Sequence, residues 1–332
     1  MSIMRRRKFI SNTLGLTTAL SASQILAAEQ TVKKREQYPA GKKEKWFTRR
    51  MEEMTSREIE FYLKEGGDLV FIPFGPVSGH GAFTPMGMHA HWANALSVLL
   101  AGKADGLVFP PTYTVMAGAT QSFRGTVHFP VSEQVSILKR IAMSLYNAGF
   151  RRVVLIGGTT PEDTGGRVAV RELFDETNHP FWFVEGELLL SAPEVKAIHE
   201  GYPGNFGETL LCLAALKILG RERPIPAADW AREIGSKLED SGDQPAEIRE
   251  DVVALRTLGQ VGFRYYEEGQ HGNHGTAGIT FKGRSDVDMT VEVLEKCADL
   301  MLPILDKLTH YADWLDGHPF KYIEASEKLY EK

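Results

Sequence analysis

The sequence predicts an α/β protein, a three-layer α/β/α arrangement around a mainly parallel sheet. Short apolar runs of strand length recur at 69–73, 106–109, 153–156 and 181–184. Between them lie segments whose apolar residues return at helical spacing, and strands alternating with helices imply parallel pairing with both faces covered. Polar, glycine-rich loops follow three of the runs, at 74–88, 110–126 and 157–166. Open parallel sheets bind their ligands at that carboxyl rim.

The elements read in order as follows. Thr55-Ser56-Arg57-Glu58 has the form of a capping box and opens a short helix ending at Gly66-Gly67. The strand 69–73 leads through the His-rich loop to a helix over 89–102, then to the strand 106–109, which stops at Pro110-Pro111. Val135, Ile137, Leu138, Ile141, Leu145 and Ala148 mark a helix over 132–148, followed by the strand 153–156 and the turn Gly157-Gly158. A helix over 165–176, the strand 181–184 and a helix over 206–219 continue the alternation. The segment 221–258 is charged and lacks strand runs, so it reads as a helical insertion or subunit-contact region. A long helix covers 286–310, and a surface tail ends the chain.

The chain has 332 residues, 43% of them apolar and 24% charged. That composition excludes disordered, collagenous and coiled-coil classes. One domain is expected, over 49–332. The net charge is −5, but the first 50 residues are basic and residues 51–332 hold 26 basic against 40 acidic side chains. An acidic body with no basic stripe argues against nucleic-acid binding. The two cysteines, Cys212 and Cys297, sit in apolar helical runs and read as buried positions rather than as a disulfide or a cysteine zinc site.

The basic start, the weakly apolar stretch 14–26 and the small pair Ala27-Ala28 follow the order of a secretory signal. Arg6-Arg7-Lys8-Phe9-Ile10 resembles the twin-arginine signature. Export to the periplasm is therefore expected, with a signal over 1–28 and a polar linker over 29–48. The apolar stretch is too short and polar to span a bilayer, so no stable membrane anchor is expected.

Three histidine groups could carry chemistry. His80, His89 and His91 follow the first strand; imidazoles at a strand end suit a divalent metal, although this spacing matches no generic metal motif. His199-Glu200 precedes Glu208-Thr209 at a helix start, where Glu208 equally suits the helix dipole. Gln270-His271-Gly272-Asn273-His274 places two histidines among glycines, as a ligand loop or a polar surface turn. The nucleophile elbow, the His-Glu-x-x-His motif, the P-loop and the Rossmann spacing are all missing, which disfavours nucleotide cofactors.

The order of these motifs resembles the creatininase (creatinine amidohydrolase) family. The residues that carry the resemblance are Phe74-Gly75-Pro76, His80-Gly81, Pro85, Phe123-Arg124-Gly125-Thr126, Gly149-Phe150-Arg151-Arg152 before a strand, and Glu208-Thr209. They cover roughly 50–220, and more loosely 260–305. The resemblance implies a metal-dependent hydrolase acting on a small cyclic substrate, and a homo-oligomer, hexameric in many relatives.

The departures from the family pattern fall on the metal ligands. Ser78 stands where the family has its first metal-binding Glu, and His89 where it has the bridging Asp. Thr159 replaces the His of Asn-Gly-His, and Pro161 a carboxylate carried by some members, with Glu162 and Asp163 beside it. His80 and Glu208 are retained. What remains is a centre for one divalent ion, Mn²⁺ or Zn²⁺, held by His80, His89 and Glu208. His199 corresponds to the family's catalytic His and is expected to carry a proton. Ser78, His91, Thr159, His271 and His274 are expected to contact substrate. The alternative is a binding protein that kept the fold and lost catalysis.

Overall fold

In the computed structural model, Thr55 and Glu58 form the expected reciprocal cap. The Thr55 N–H donates to Glu58 Oε2 at 2.7 Å and the Glu58 N–H to Thr55 Oγ1 at 3.3 Å. The helix they open, α1, runs Ser56–Lys64. The structure describes residues 47–80, 84–122, 124–158, 160–199, 208–224, 254 and 284–319. Arg49–Lys332 forms one compact unit. The expected signal, most of the linker, nearly all of the 221–258 segment and the tail beyond residue 319 lie outside the described residues.

The sheet is built from β1 (Leu69–Phe74), β2 (Leu107–Val108), β3 (Arg152–Gly157) and β4 (Trp182–Glu185). Its order is β2-β1-β3-β4, and every pairing is parallel. β1 is buried at every position, as a central strand covered on both faces must be. Arg152 fixes the register at the amino end. Its Nε and Nη2 both donate to Asp68 Oδ1, at 2.9 and 2.5 Å, while its backbone N–H donates to the Asp68 carbonyl.

Helices cover both faces. On one side lies α2 (Met88–Ala104), packed against β1 and beneath α7 (Glu208–Ile218) and α8 (Arg284–Gly317). The first ten residues of α2 are all buried, which is why the helix carries no polar stripe. On the other side, α3 (Val131–Asn147) and α4 (Thr160–Thr177) pack together against the sheet. Cys212 in α7 and Cys297 in α8 are buried, neither forms a disulfide, and burial pushes both thiols up to about 12.

The structure corrects several boundaries. The third rim loop is far shorter than 157–166, because α4 begins at Thr160 rather than at residue 165. Thr160-Pro161-Glu162-Asp163 is a favourable helix start, with proline and acidic residues in the first turn. Gly165-Gly166, expected at the start of this helix, lie inside it, and neighbours leave no room for a side chain at either. A Cβ at Gly165 would meet Gln134 at 2.4 Å, and one at Gly166 would meet Phe183 at 2.6 Å. Two short helices unforeseen from the sequence, α5 (Gly186–Leu190) and α6 (Pro193–His199), follow β4. The last helix is longer than 286–310, running to Gly317 with Pro303 inside it. No helix among the described residues is long and apolar enough to cross a membrane.

Candidate active site

The loop leaving β1 is fastened to the loop leaving β2 before it reaches its histidine. The Gly75 N–H donates to the Thr112 carbonyl, the Val127 N–H to the Val77 carbonyl, and the Gly79 N–H to Thr126 Oγ1 at 3.0 Å. The Ser78 N–H closes the loop on itself through the Met86 carbonyl. The result sets Ser78 and His80 beside His89, the second residue of α2, at the carboxyl end of the sheet.

Two glycines allow α2 to start so close to the strands. A Cβ on Gly75 would stand 2.4 Å from the Ala90 nitrogen and 2.7 Å from His89 Cβ; one on Gly158 would stand 2.5 Å from His89 Cβ and 2.9 Å from its Nδ1. Trp92, one turn along α2, donates its indole N–H to the Gly158 carbonyl at 3.2 Å, and its ring fills the space a side chain at Gly186 would need. The turn after β3 is thus held from two positions of the same helix.

At the centre, Ser78 Oγ lies 2.8 Å from His80 Nε2, and His89 Nε2 lies 2.9 Å from the same nitrogen. The two rings meet edge to face with centroids 4.5 Å apart. Ser78, His80 and His89 are 0%, 7% and 1% exposed, so water cannot substitute for these contacts. A ring nitrogen presents either one hydrogen or one lone pair, so His80 Nε2 cannot make a full hydrogen bond to both neighbours. Three donor atoms converging on one point in this way suit a cation. The span of 2.9 Å between the imidazole nitrogens is within reach of a single ion bonded to each at about 2.0–2.1 Å.

A catalytic zinc-type centre uses three protein ligands. Among the described residues, no group of three or more His, Cys, Asp or Glu side chains assembles. The remaining expected ligand, Glu208, is the first residue of α7, and its side chain lies outside the described residues. Its neighbour Thr209 is tied to the site loop, since Thr209 Oγ1 and Thr84 Oγ1 are 2.6 Å apart in a buried contact. That bond brings the start of α7 to the loop between His80 and His89.

Of the other expected residues, His199 ends α6 with its side chain outside the described residues, and Thr159, His271 and His274 lie outside them altogether. His91 is buried on α2, and burial, with the positive charge of Arg221, pulls its pKa down to about 4. Sequence reading gave no role to Thr84, Trp92, Thr126 or Thr209. Only Thr126 and Thr209 carried a signal, through the motifs Phe123-Arg124-Gly125-Thr126 and Glu208-Thr209.

The fold and this centre define an α/β protein with an imidazole cluster at the carboxyl rim of a parallel sheet. The sequence profile of the creatininase family, described as creatinine amidohydrolase, matches residues 52–243. The chain belongs to that family. The match stops short of 260–305. Its fold is similar to solved creatininases: the form named "Creatininase Mn" aligns with TM-score 0.54 and 18% identity, over 78% of this chain and 99% of that one. A point mutant of creatininase in its Zn-Zn type aligns with TM-score 0.53 and 17% identity, over the same shares. A mutant complexed with creatine aligns with TM-score 0.52 and 17% identity, again over 78% and 99%. A search of curated proteins by sequence found no match.

Proposed function

We propose that the protein is a metal-dependent hydrolase that opens a small cyclic carbonyl compound. The observation that carries this is the convergence of Ser78 Oγ, His80 Nε2 and His89 Nε2 on one buried point at the sheet's carboxyl rim. His80, His89 and Glu208 would hold one divalent ion, with Mn²⁺ and Zn²⁺ the candidates because solved creatininases carry those names. Such an ion, when bound, polarises a carbonyl and makes water a nucleophile at neutral pH.

The chain's own residues supply the rest. The neutral imidazoles leave the centre a net cation, and burial keeps bulk water from competing with substrate. With the lone pair of His80 Nε2 given to such an ion, the Ser78 hydroxyl would be left to donate to the substrate oxygen. His199 would deliver a proton to the leaving atom, a role imidazole fills near neutral pH. Family membership favours a C–N bond in a cyclic amide. The replacement of two acidic family positions by Ser78 and His89 favours a changed substrate, and a cyclic polyhydroxy ketone in its β-diketone form is suited to it: water adds to one carbonyl, the C–C bond to the carbon between the two carbonyls breaks, and the carbanion leaves as the enolate of the second carbonyl and is protonated.

The test is turnover of cyclic amides and of cyclic polyhydroxy ketones by purified protein supplied with Mn²⁺ or Zn²⁺. Ring opening of one class is expected. Protein that binds metal yet opens neither class would overturn the hydrolase reading in favour of a non-catalytic binding protein.

A further inference from the structure

The last turns of α8, beyond Pro303, carry two seams rather than one. Met301, Leu305, Ala312 and Leu315 are buried, and Leu308 packs partly against the core, so this alternation of four and three residues fastens the helix to its own fold. Ile304, Lys307, Tyr311 and Trp314 repeat the alternation about 100° away around the helix axis. This second seam faces water, with Ile304 43%, Tyr311 48% and Trp314 54% exposed.

The exposed seam is ordered before anything meets it. The Tyr311 and Trp314 rings lie 13° from parallel with centroids 6.3 Å apart, and the Trp314 and His318 rings lie 13° from parallel at 4.4 Å. The His318 Nδ1–H donates to the Trp314 carbonyl at 2.8 Å and holds the last ring of the series. Side chains already fixed lose little entropy on contact, and aromatic residues are those that anchor protein interfaces.

Charge narrows the choice of partner. Residues 51–332 hold 26 basic against 40 acidic side chains, so two copies repel each other over most of their surface. The seam has no carboxylate, nor do the flanking Pro303, His310 and Gly317; Asp306, Asp313 and Asp316 fall outside the strip. Lys307 is its one formal charge. A parallel pair of such helices would set Lys307 against its own copy, whereas an antiparallel pair sets it on a tyrosine ring, a cation–π contact.

We propose that this face of α8 binds a second copy of the chain, in an antiparallel two-fold pairing in which Ile304 meets the second copy's Trp314 and Lys307 the second copy's Tyr311. Each copy offers the same strip, so the contact closes on itself. The pairing is independent of the hydrolase reading.

Sedimentation of the purified protein over a range of concentrations should give a mass of at least two chains. Trp314→Glu should bring that mass to half or less while keeping the far-ultraviolet spectrum of a folded chain. Val168→Glu, on the exposed groove between α3 and α4 in the opposite layer, should leave the mass as it is. Oxidation of mixed Ile304→Cys and Trp314→Cys chains should join one to the other and neither to itself, because identical positions stand about 15 Å apart along the antiparallel pair. Cys212 and Cys297, being buried, do not compete. A single-chain mass at every concentration, or a mass that Trp314→Glu does not change, overturns the proposal. Loss of assembly in Val168→Glu alone overturns it in favour of the other layer, and a single chain that floats with phosphatidylcholine vesicles overturns it in favour of a lipid surface. Self-joining of Ile304→Cys overturns the antiparallel pairing.

Discussion

Gly158 and His89 approach so closely that a single methyl group on the glycine would fall 2.5 Å from the histidine's Cβ. The contact sets where the imidazole can stand. Gly158→Ala should push His89 away from His80, lowering Zn²⁺ affinity about 10- to 100-fold, the usual effect of disturbing what supports a ligand. Overpacking should cost about 1–3 kcal/mol of stability. Metal titration and urea denaturation of the same variant measure both effects, and unchanged metal affinity would remove His89 from the centre.

One divalent ion per chain is expected. Two ions held about 3.5–4 Å apart need a bridging carboxylate to offset their repulsion, and a neutral imidazole at position 89 cannot supply it. Elemental analysis should find close to one equivalent, and His89→Ala should lose both metal and activity. Two equivalents would point to ligands beyond His80, His89 and Glu208.

The Thr84–Thr209 bond should be worth more than its length suggests, because both hydroxyls are buried. Thr209→Val strands its partner and should cost about 1–3 kcal/mol. The double change Thr84→Val with Thr209→Val should recover part of that. A double-mutant cycle in denaturant measures the coupling, and additive losses would show the bond to be incidental.

His199→Ala should lower turnover about 10²-fold or more with metal content intact, as loss of a general acid does. Steady-state kinetics beside metal analysis decides it: unchanged turnover excludes His199 from proton transfer.

His179 should make the fold acid-sensitive. Burial, only partly offset by its hydrogen bond to the Arg151 carbonyl at 2.6 Å, lowers its pKa, with Arg151 adding to the drop. The folded state then binds fewer protons than the unfolded chain between the depressed pKa and the ordinary value near 6.5. Stability falls as pH drops through that window and levels off below it. Denaturant midpoints measured from pH 7 to 4 should fall less steeply in His179→Gln than in the wild type.

Most of the architecture was legible because buried strands and half-buried helices impose different spacings on apolar residues. The period at Val135, Leu138 and Leu145 finds its helix directly. What failed depended on distant contacts. The helix expected over 165–176 starts five residues earlier, at Thr160, and the need for glycine at position 165 comes from Gln134, a partner no local rule contains. The same holds at the site. His80 and His89 stand out as chemistry-bearing residues in a rim loop, whereas Thr209 acquires its role from Thr84, which is 125 positions away.

The buried thiols bear on where this chain can mature. Cys212 and Cys297 are sealed in the layer formed by α2, α7 and α8, and both stay protonated at any physiological pH. Oxidation by a disulfide begins with a protein thiolate attacking one of its sulfurs, so buried thiols held protonated do not react. In an unfolded chain the same two sulfurs are open to pairing or cross-linking. An oxidising compartment is harmless to the finished molecule and hazardous to an unfinished one, which makes the order of folding and oxidant exposure a determinant of yield.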